Sequence, residues 1–154
     1  MTDIIMLFAS MSGNTEEMAE IIKQEAAEQG AAVTAYHIDF DEISMEELQN
    51  YDAILLGTYT WGDGDLPYEM EDLYDDLQEV DLTGKITALF GSCDSMYPDY
   101  GGAIHKFGDR FIECGANVVL DYLKVDLDPG EEDTKECKAF AREFVKKLGV
   151  LSEL

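Results

Sequence analysis

The chain has 154 residues and sets 34 acids against 10 lysines and arginines, for a formal net charge of −24. That balance excludes nucleic acid and anionic membranes as partners, because the phosphate contacts that dominate such binding need Lys and Arg. Its three cysteines, Cys93, Cys114 and Cys137, contain no CxxC pair, which excludes a disulfide framework and a zinc-binding pattern. The start Met1-Thr2-Asp3 shows no charged leader, and no apolar run approaches the roughly 18 residues of a membrane span, so a soluble cytoplasmic protein is expected. Residues 1–154 read as one domain with a sizeable core, without linkers, repeats or low-complexity segments.

Taken in chain order, the first apolar run, Ile4 to Ala9, reads as a strand. It is followed by Ser10-Met11-Ser12-Gly13-Asn14-Thr15 and then by helical spacing at Met18, Ile22 and Ala26. Hydroxyls, an amide and backbone N–H groups at a helix N-terminus form a phosphate loop without any basic side chain. The absence of bases is general here: before Lys85 the only base is Lys23, against 21 acids. A phosphate in this half of the chain must be held by neutral dipoles. Further strands are read at Ala32 to Ile38, Ala53 to Gly57, Ile86 to Gly91 and Val118 to Val125, the last expected to run uninterrupted. Helical faces are marked by Ile104, Phe107 and Phe111 and by Phe140, Phe144 and Leu148 within Lys138 to Leu148, and more weakly over Met70 to Leu77. Alternating strands and helices with near-continuous apolar strands predict an α/β fold: a doubly wound, five-stranded parallel sheet with helices on both faces. Ligands of such sheets lie beyond the strand C-termini.

Three loops fall at those ends. After the first strand comes the phosphate loop. The third is followed by Thr58-Tyr59-Thr60-Trp61-Gly62-Asp63-Gly64-Asp65, with the only tryptophan, and the fourth by Ser92-Cys93-Asp94-Ser95-Met96-Tyr97-Pro98-Asp99-Tyr100. Together they suit a phosphorylated planar heterocycle. Asp63-Gly64-Asp65 begins like a calcium loop but has Pro67 and Tyr68 where an acid or amide and a glycine are needed, so no metal site is expected.

The Gly13-Asn14-Thr15 loop end, the Thr60-Trp61-Gly62-Asp63 turn and the Asp94-Ser95-Met96-Tyr97 turn, each after its own strand, resemble the flavodoxins over essentially the whole chain, in the short-chain form. The resemblance implies the strand order 2-1-3-4-5 and FMN as cofactor. It implies the phosphate on Ser10, Met11, Ser12, Gly13, Asn14 and Thr15, and the ring between Trp61 and Tyr97, with Tyr59, Thr60, Gly62 and Asp63 in the neighbouring turn. It places the pyrimidine end on Ser92, Cys93 and Asp94. Two positions depart from the family pattern: Met11 replaces the usual hydroxyl residue, and Tyr59 stands where a small residue is usual. The family's peptide that turns over on one-electron reduction corresponds to Gly62-Asp63. Tyr100 is expected to pack near Tyr97, and Cys93 to touch the cofactor without redox chemistry of its own, since a thiol amid acids has no cation to lower its pKa.

The function this implies is low-potential one-electron transfer, with FMN shuttling between semiquinone and hydroquinone, by a carrier and not an enzyme. A monomer serving basic-faced redox proteins is expected: an NAD(P)H-dependent reductase as donor and acceptor oxidoreductases. An FMN-dependent quinone or azo reductase is disfavoured because Trp61 and Tyr97 would close both faces of the ring. A flavoprotein activator dedicated to one enzyme is not separable from a general carrier by sequence. A phosphoacceptor signalling domain ranks last, because Ser10-Met11 and Gly57 stand where it needs acids.

Overall fold

Period-two burial explains the sheet. The computed structural model describes residues 3–152; Met1 and Thr2, where the lack of a leader is read, lie outside the described residues. In β1 (Asp3–Phe8) Ile4, Met6 and Phe8 join one apolar cluster, while Ile5, Leu7 and the following Ala9 join another. Both faces are therefore covered, which is why the strand reads as an unbroken apolar run. β2 (Ala32–His37) is a partly exposed edge strand, whereas β3 (Ala53–Gly57) and β4 (Ile86–Cys93) divide their side chains between the two clusters as β1 does. The strands pair in parallel in the order β2-β1-β3-β4-β5, with Ile4 opposite both Val33 and Ala53, and Ala53 opposite Ile86.

One sheet face is covered by α1 (Asn14–Glu28) and α5 (Glu131–Ser152), through Met18, Ile22 and Ala26 on the first and Phe140, Phe144 and Leu148 on the second. Buried Glu25 accepts a hydrogen bond from Arg142 Nε at 3.3 Å and fastens the two helices together. The other face is covered by α3 (Glu71–Asp76) and α4 (Gly102–Glu113), which bury Leu73 and Ile104, Phe107 and Phe111. The weak signal over Met70 to Leu77 reflects a broken helix, with 3₁₀ turns at Tyr68–Met70 and Leu77–Glu79 on either side of α3. Periodicity also misses α2 (Met45–Leu48), a single turn that buries only Leu48.

Two expectations need correction. The helix read from Lys138 starts at Glu131, because Gly130 opens it: its carbonyl accepts the Thr134 N–H at 3.0 Å and its N–H donates to Asp133 Oδ2 at 2.9 Å. That acidic first turn carries no apolar stripe. The last strand is not uninterrupted from Val118 to Val125. It is two short segments, β5 (Asn117–Val118) and β6 (Leu123–Asp126), both paired to β4. Val118 faces Thr87 and Leu123 faces Phe90, so five steps on one side span three on the other and two residues bulge out. Tyr122, within the bulged stretch, packs on α4: its ring meets His105 edge-on at 5.0 Å, and its hydroxyl occupies the space where a Cβ on Gly108 would sit. Among the described residues no helix is long and apolar enough to cross a membrane.

Candidate functional site

At the end of β1 the chain enters α1 through Gly13, whose φ of 89° is open to glycine and which has no side chain with which to cap the helix. The Glu16 N–H donates to Ser10 Oγ at 3.2 Å, and the Ser92 N–H donates to buried Thr15 Oγ1 at 3.3 Å. A hydroxyl that accepts one such bond keeps its own proton to donate. The loop thus offers two oriented hydroxyls and a helix N-terminus of which Ser10 Oγ takes only one N–H, the donor set of a neutral anion cradle. The Glu16 and Glu17 side chains of the first turn point to solvent.

The loops after β3 and β4 are built against one another with glycines at each contact. A Cβ on Gly91 would lie 1.8 Å from the Thr58 carbonyl oxygen, and one on Gly102 would lie 2.6 Å from Gly64 Cα. Trp61 and Asp65 exchange backbone hydrogen bonds at 2.8 and 2.9 Å, closing the turn that holds Gly62 at φ 52° and Gly64 at φ 94°. Asp63 Oδ1 accepts the Asp99 N–H at 2.9 Å, and Thr60 Oγ1 accepts the Ala103 N–H at 3.3 Å. On the other loop, Asp94 Oδ1 accepts the Met96 N–H at 2.9 Å and the Asp94 carbonyl accepts the Tyr97 N–H at 3.1 Å. Asp126 anchors that turn to β6, accepting from Ser95 N–H and Oγ at 3.0 and 2.6 Å.

The three loops enclose a cavity of about 380 Å³. Its phosphate-loop wall is Met11, Ser12 and Asn14; its far wall is Tyr59, Thr60, Trp61 and Gly62 from one loop and Ser92, Cys93, Asp94 and Tyr97 from the other. Trp61 and Tyr97 keep 53% and 43% of their surface exposed, so both rings are open to a partner at the cavity. Four of the residues expected at the site are not on the lining. Ser10 and Thr15 are buried behind it, Gly13 sits at the helix cap, and Asp63 turns to the neighbouring loop. Leu127 is a lining residue that the sequence did not reveal. It follows β6 at φ 61°, the sole non-glycine residue at positive φ among the described residues, and its carbonyl accepts Ser92 Oγ at 2.9 Å. Residues 126 to 130 carry acids, Pro and Gly, a turn signal that cannot show a leucine facing a cavity.

Burial pushes the Cys93 thiol up to about 12, against the opposing pull of Lys124. The expectation that no cation lies near it is corrected: a Cβ on Gly101 would lie 3.0 Å from Lys124 Cδ and 3.2 Å from Cys93 Sγ. Lysine and thiol are brought together only by the fold, and desolvation still keeps the thiol protonated and unreactive. Tyr59 is raised by burial and by its hydroxyl donating to Glu69 Oε1 at 2.6 Å. Tyr100 packs under this loop, where its carbonyl accepts a bond from Lys124 Nζ at 3.3 Å.

Residues 6–140 match the family model described as Flavodoxin. The chain belongs to the flavodoxin family. It is 42% identical over 151 residues to a probable flavodoxin 1 of Bacillus subtilis (strain 168), covering 94% of this chain and 91% of that one. The oxidised flavodoxin 1 of Bacillus cereus superposes with a TM-score of 0.91 at 49% identity, covering 94% of this chain and 98% of that chain. A short-chain flavodoxin associated with a non-canonical PDU bacterial microcompartment superposes at 0.88 with 34% identity, covering 96% and 99%. Flavodoxins bind FMN and carry electrons between redox partners; they are not enzymes. The cavity fits that cofactor by its donor set, with neutral donors at one end for a phosphate and two partly exposed rings at the other for a flat heterocycle.

Proposed function

We propose that this chain holds FMN with its phosphate on Ser10 to Thr15, its ring between Trp61 and Tyr97, and its pyrimidine end against the backbone of Ser92, Cys93 and Asp94. The observation that carries this reading is the single cavity joining a helix N-terminus to two partly exposed aromatic rings. Bound there, FMN supplies one-electron chemistry. The chain's own groups bind and tune. Ser12 on the cavity wall, with Ser10 and Thr15 just behind it, would donate to the phosphate, Trp61 and Tyr97 exclude water from the ring, and the surrounding acids oppose added negative charge. One carboxylate about 12 Å away does so by roughly 0.3 to 1.4 kcal/mol, depending on the effective dielectric, which favours a low potential. With a net charge of −24 the partners are basic-faced: a reductase using NAD(P)H as donor and acceptor oxidoreductases, met by a cytoplasmic monomer.

Apoprotein titrated with FMN and with riboflavin tests the cofactor assignment. FMN is expected to bind far more tightly, and Ser12→Ala to weaken FMN by about 1 kcal/mol while leaving riboflavin unchanged. Equal affinity for the two flavins refutes the phosphate cradle. For the partners, charge reversal at Glu69, Asp72 and Asp76 is expected to slow electron transfer from a basic reductase and flatten its salt dependence at constant FMN affinity.

A further inference from the structure

Behind Tyr59 and Trp61 lies a second cavity of about 630 Å³. The same two residues line the cofactor cavity, so they form the partition between the two spaces. The second cavity adds Tyr68 to these rings and places Asp65, Glu69 and Glu71 around them. Aromatic faces beside carboxylates match a planar cation, because a guanidinium stacks on rings and pairs with carboxylates, whereas an ammonium is a hydrated point charge. The receptor is partly pre-formed. Glu69 is oriented by the Tyr59 hydroxyl at 2.6 Å through Oε1, leaving its second oxygen available. The one cation on the lining, Lys106, is held at Asp65, with Nζ 4.0 Å from Oδ1, so Glu69 and Glu71 are left to meet a guest.

The rim selects a protein over a small cation. Tyr68 on the lining is 86% exposed, and Met96, on the loop that carries the cofactor cavity's Tyr97, is 87% exposed. Exposed rings and methionines next to a site that exchanges electrons with other proteins mark an interface. We infer that this cavity receives a single arginine side chain of a basic redox partner, stacked on Tyr68 and Trp61 and paired with Glu69 and Glu71. The inference rests on the proposed reading of Trp61 as a wall of the FMN site, and it turns a diffuse acidic surface into a recognition point that distinguishes arginine from lysine.

The test uses the ¹⁵N-labelled, FMN-loaded protein titrated with acetyl-Gly-Arg-Gly-amide and with the same peptide carrying lysine or citrulline. The Trp61 indole N–H is the reporter, unambiguous because the chain has one tryptophan. The arginine peptide is expected to shift this signal saturably, the lysine peptide to bind at least about threefold more weakly, and the uncharged citrulline peptide to give no saturable shift. Tyr68→Ala should weaken the arginine peptide about three- to fivefold, and Glu71→Gln about two- to fivefold. Flavin absorbance of the same samples should stay unchanged. Equal binding of arginine and lysine peptides, or arginine binding indifferent to both substitutions, overturns the inference while bound FMN leaves the cofactor site standing. Failure of the unsubstituted protein to take up FMN overturns the cofactor site, and this inference with it.

Discussion

The two ends of the cofactor cavity are built on opposite principles. At the phosphate end a strand runs into a helix through one glycine, and the binding groups are the helix N-terminus and the hydroxyls that flank it. At the ring end the last residues of β4, Ser92 and Cys93, and two irregular loops supply the groups, and glycines make the approach of these segments possible. A Cβ on Gly13 would meet nothing within 4 Å, whereas one on Gly91 would lie 1.8 Å from a backbone carbonyl oxygen. The first end tolerates side chains and depends on dipoles. The second depends on contact distances.

The largest expected effect breaks this contrast directly. Gly91→Ala forces β4 away from the Thr58 backbone, which cannot yield as a flexible side chain would, and should cost about 3 kcal/mol or more in urea unfolding. Gly13→Ala suffers only the left-handed backbone penalty at φ 89°, about 1 to 2 kcal/mol. Equal losses for the two substitutions would mean that the ring-end loops relax freely and that glycine packing there is incidental.

The same contrast explains what could be read in the sequence. Strands β1, β3 and β4 and helices α1 and α4 announce themselves because burial on a fixed period leaves a pattern, and the phosphate loop lies at a junction of two such patterns. Trp61 and Tyr97 were legible only through the resemblance to the flavodoxins, since a turn composition does not say where its ring points. Leu127, the Tyr122 bulge and the meeting of Lys124 with Cys93 left no local signature. Each arises from residues far apart in the chain. The Tyr59 to Glu69 hydrogen bond is of the same kind, joining a loop to a 3₁₀ turn that periodicity barely marks.

A smaller effect is expected at Gly62, where the ring end depends on conformation instead of contact. Its Cβ would meet nothing within 4 Å, so any cost of a side chain there lies in the backbone at φ 52°. Gly62→Val should penalise the left-handed conformations by about 1 to 3 kcal/mol, since a β-branched residue is an outlier at positive φ. That penalty falls on the conformation seen here, so if the turn-over of the Gly62-Asp63 peptide that the family resemblance implies takes Gly62 out of positive φ, the first one-electron potential should rise by roughly 45 to 130 mV, with FMN still bound. An unchanged potential in a spectroelectrochemical titration would show that another group senses the redox state.

The smallest effect separates the two ends by pH. Asp126 is held below the usual carboxylate range by the hydroxyl and then the N–H of Ser95, which it anchors at the ring end. A carboxyl with a depressed folded-state pKa contributes stability above its usual value and loses it as pH falls through the lowered one. The Ser95 turn should therefore hold down through the ordinary carboxylate range and loosen only below it. FMN is the wrong probe for this, because its phosphate takes up a proton near pH 6 by itself. Riboflavin affinity isolates the ring end. It should stay level as the solution is acidified and drop only beyond the usual carboxylate range. In Asp126→Asn it should be lower at pH 7 by no more than about twofold, as fits an exposed charged contact, and flat on acidification. An acid-induced drop that persists in Asp126→Asn would place the titrating group elsewhere on the cavity wall, with Asp94 the next carboxylate to replace.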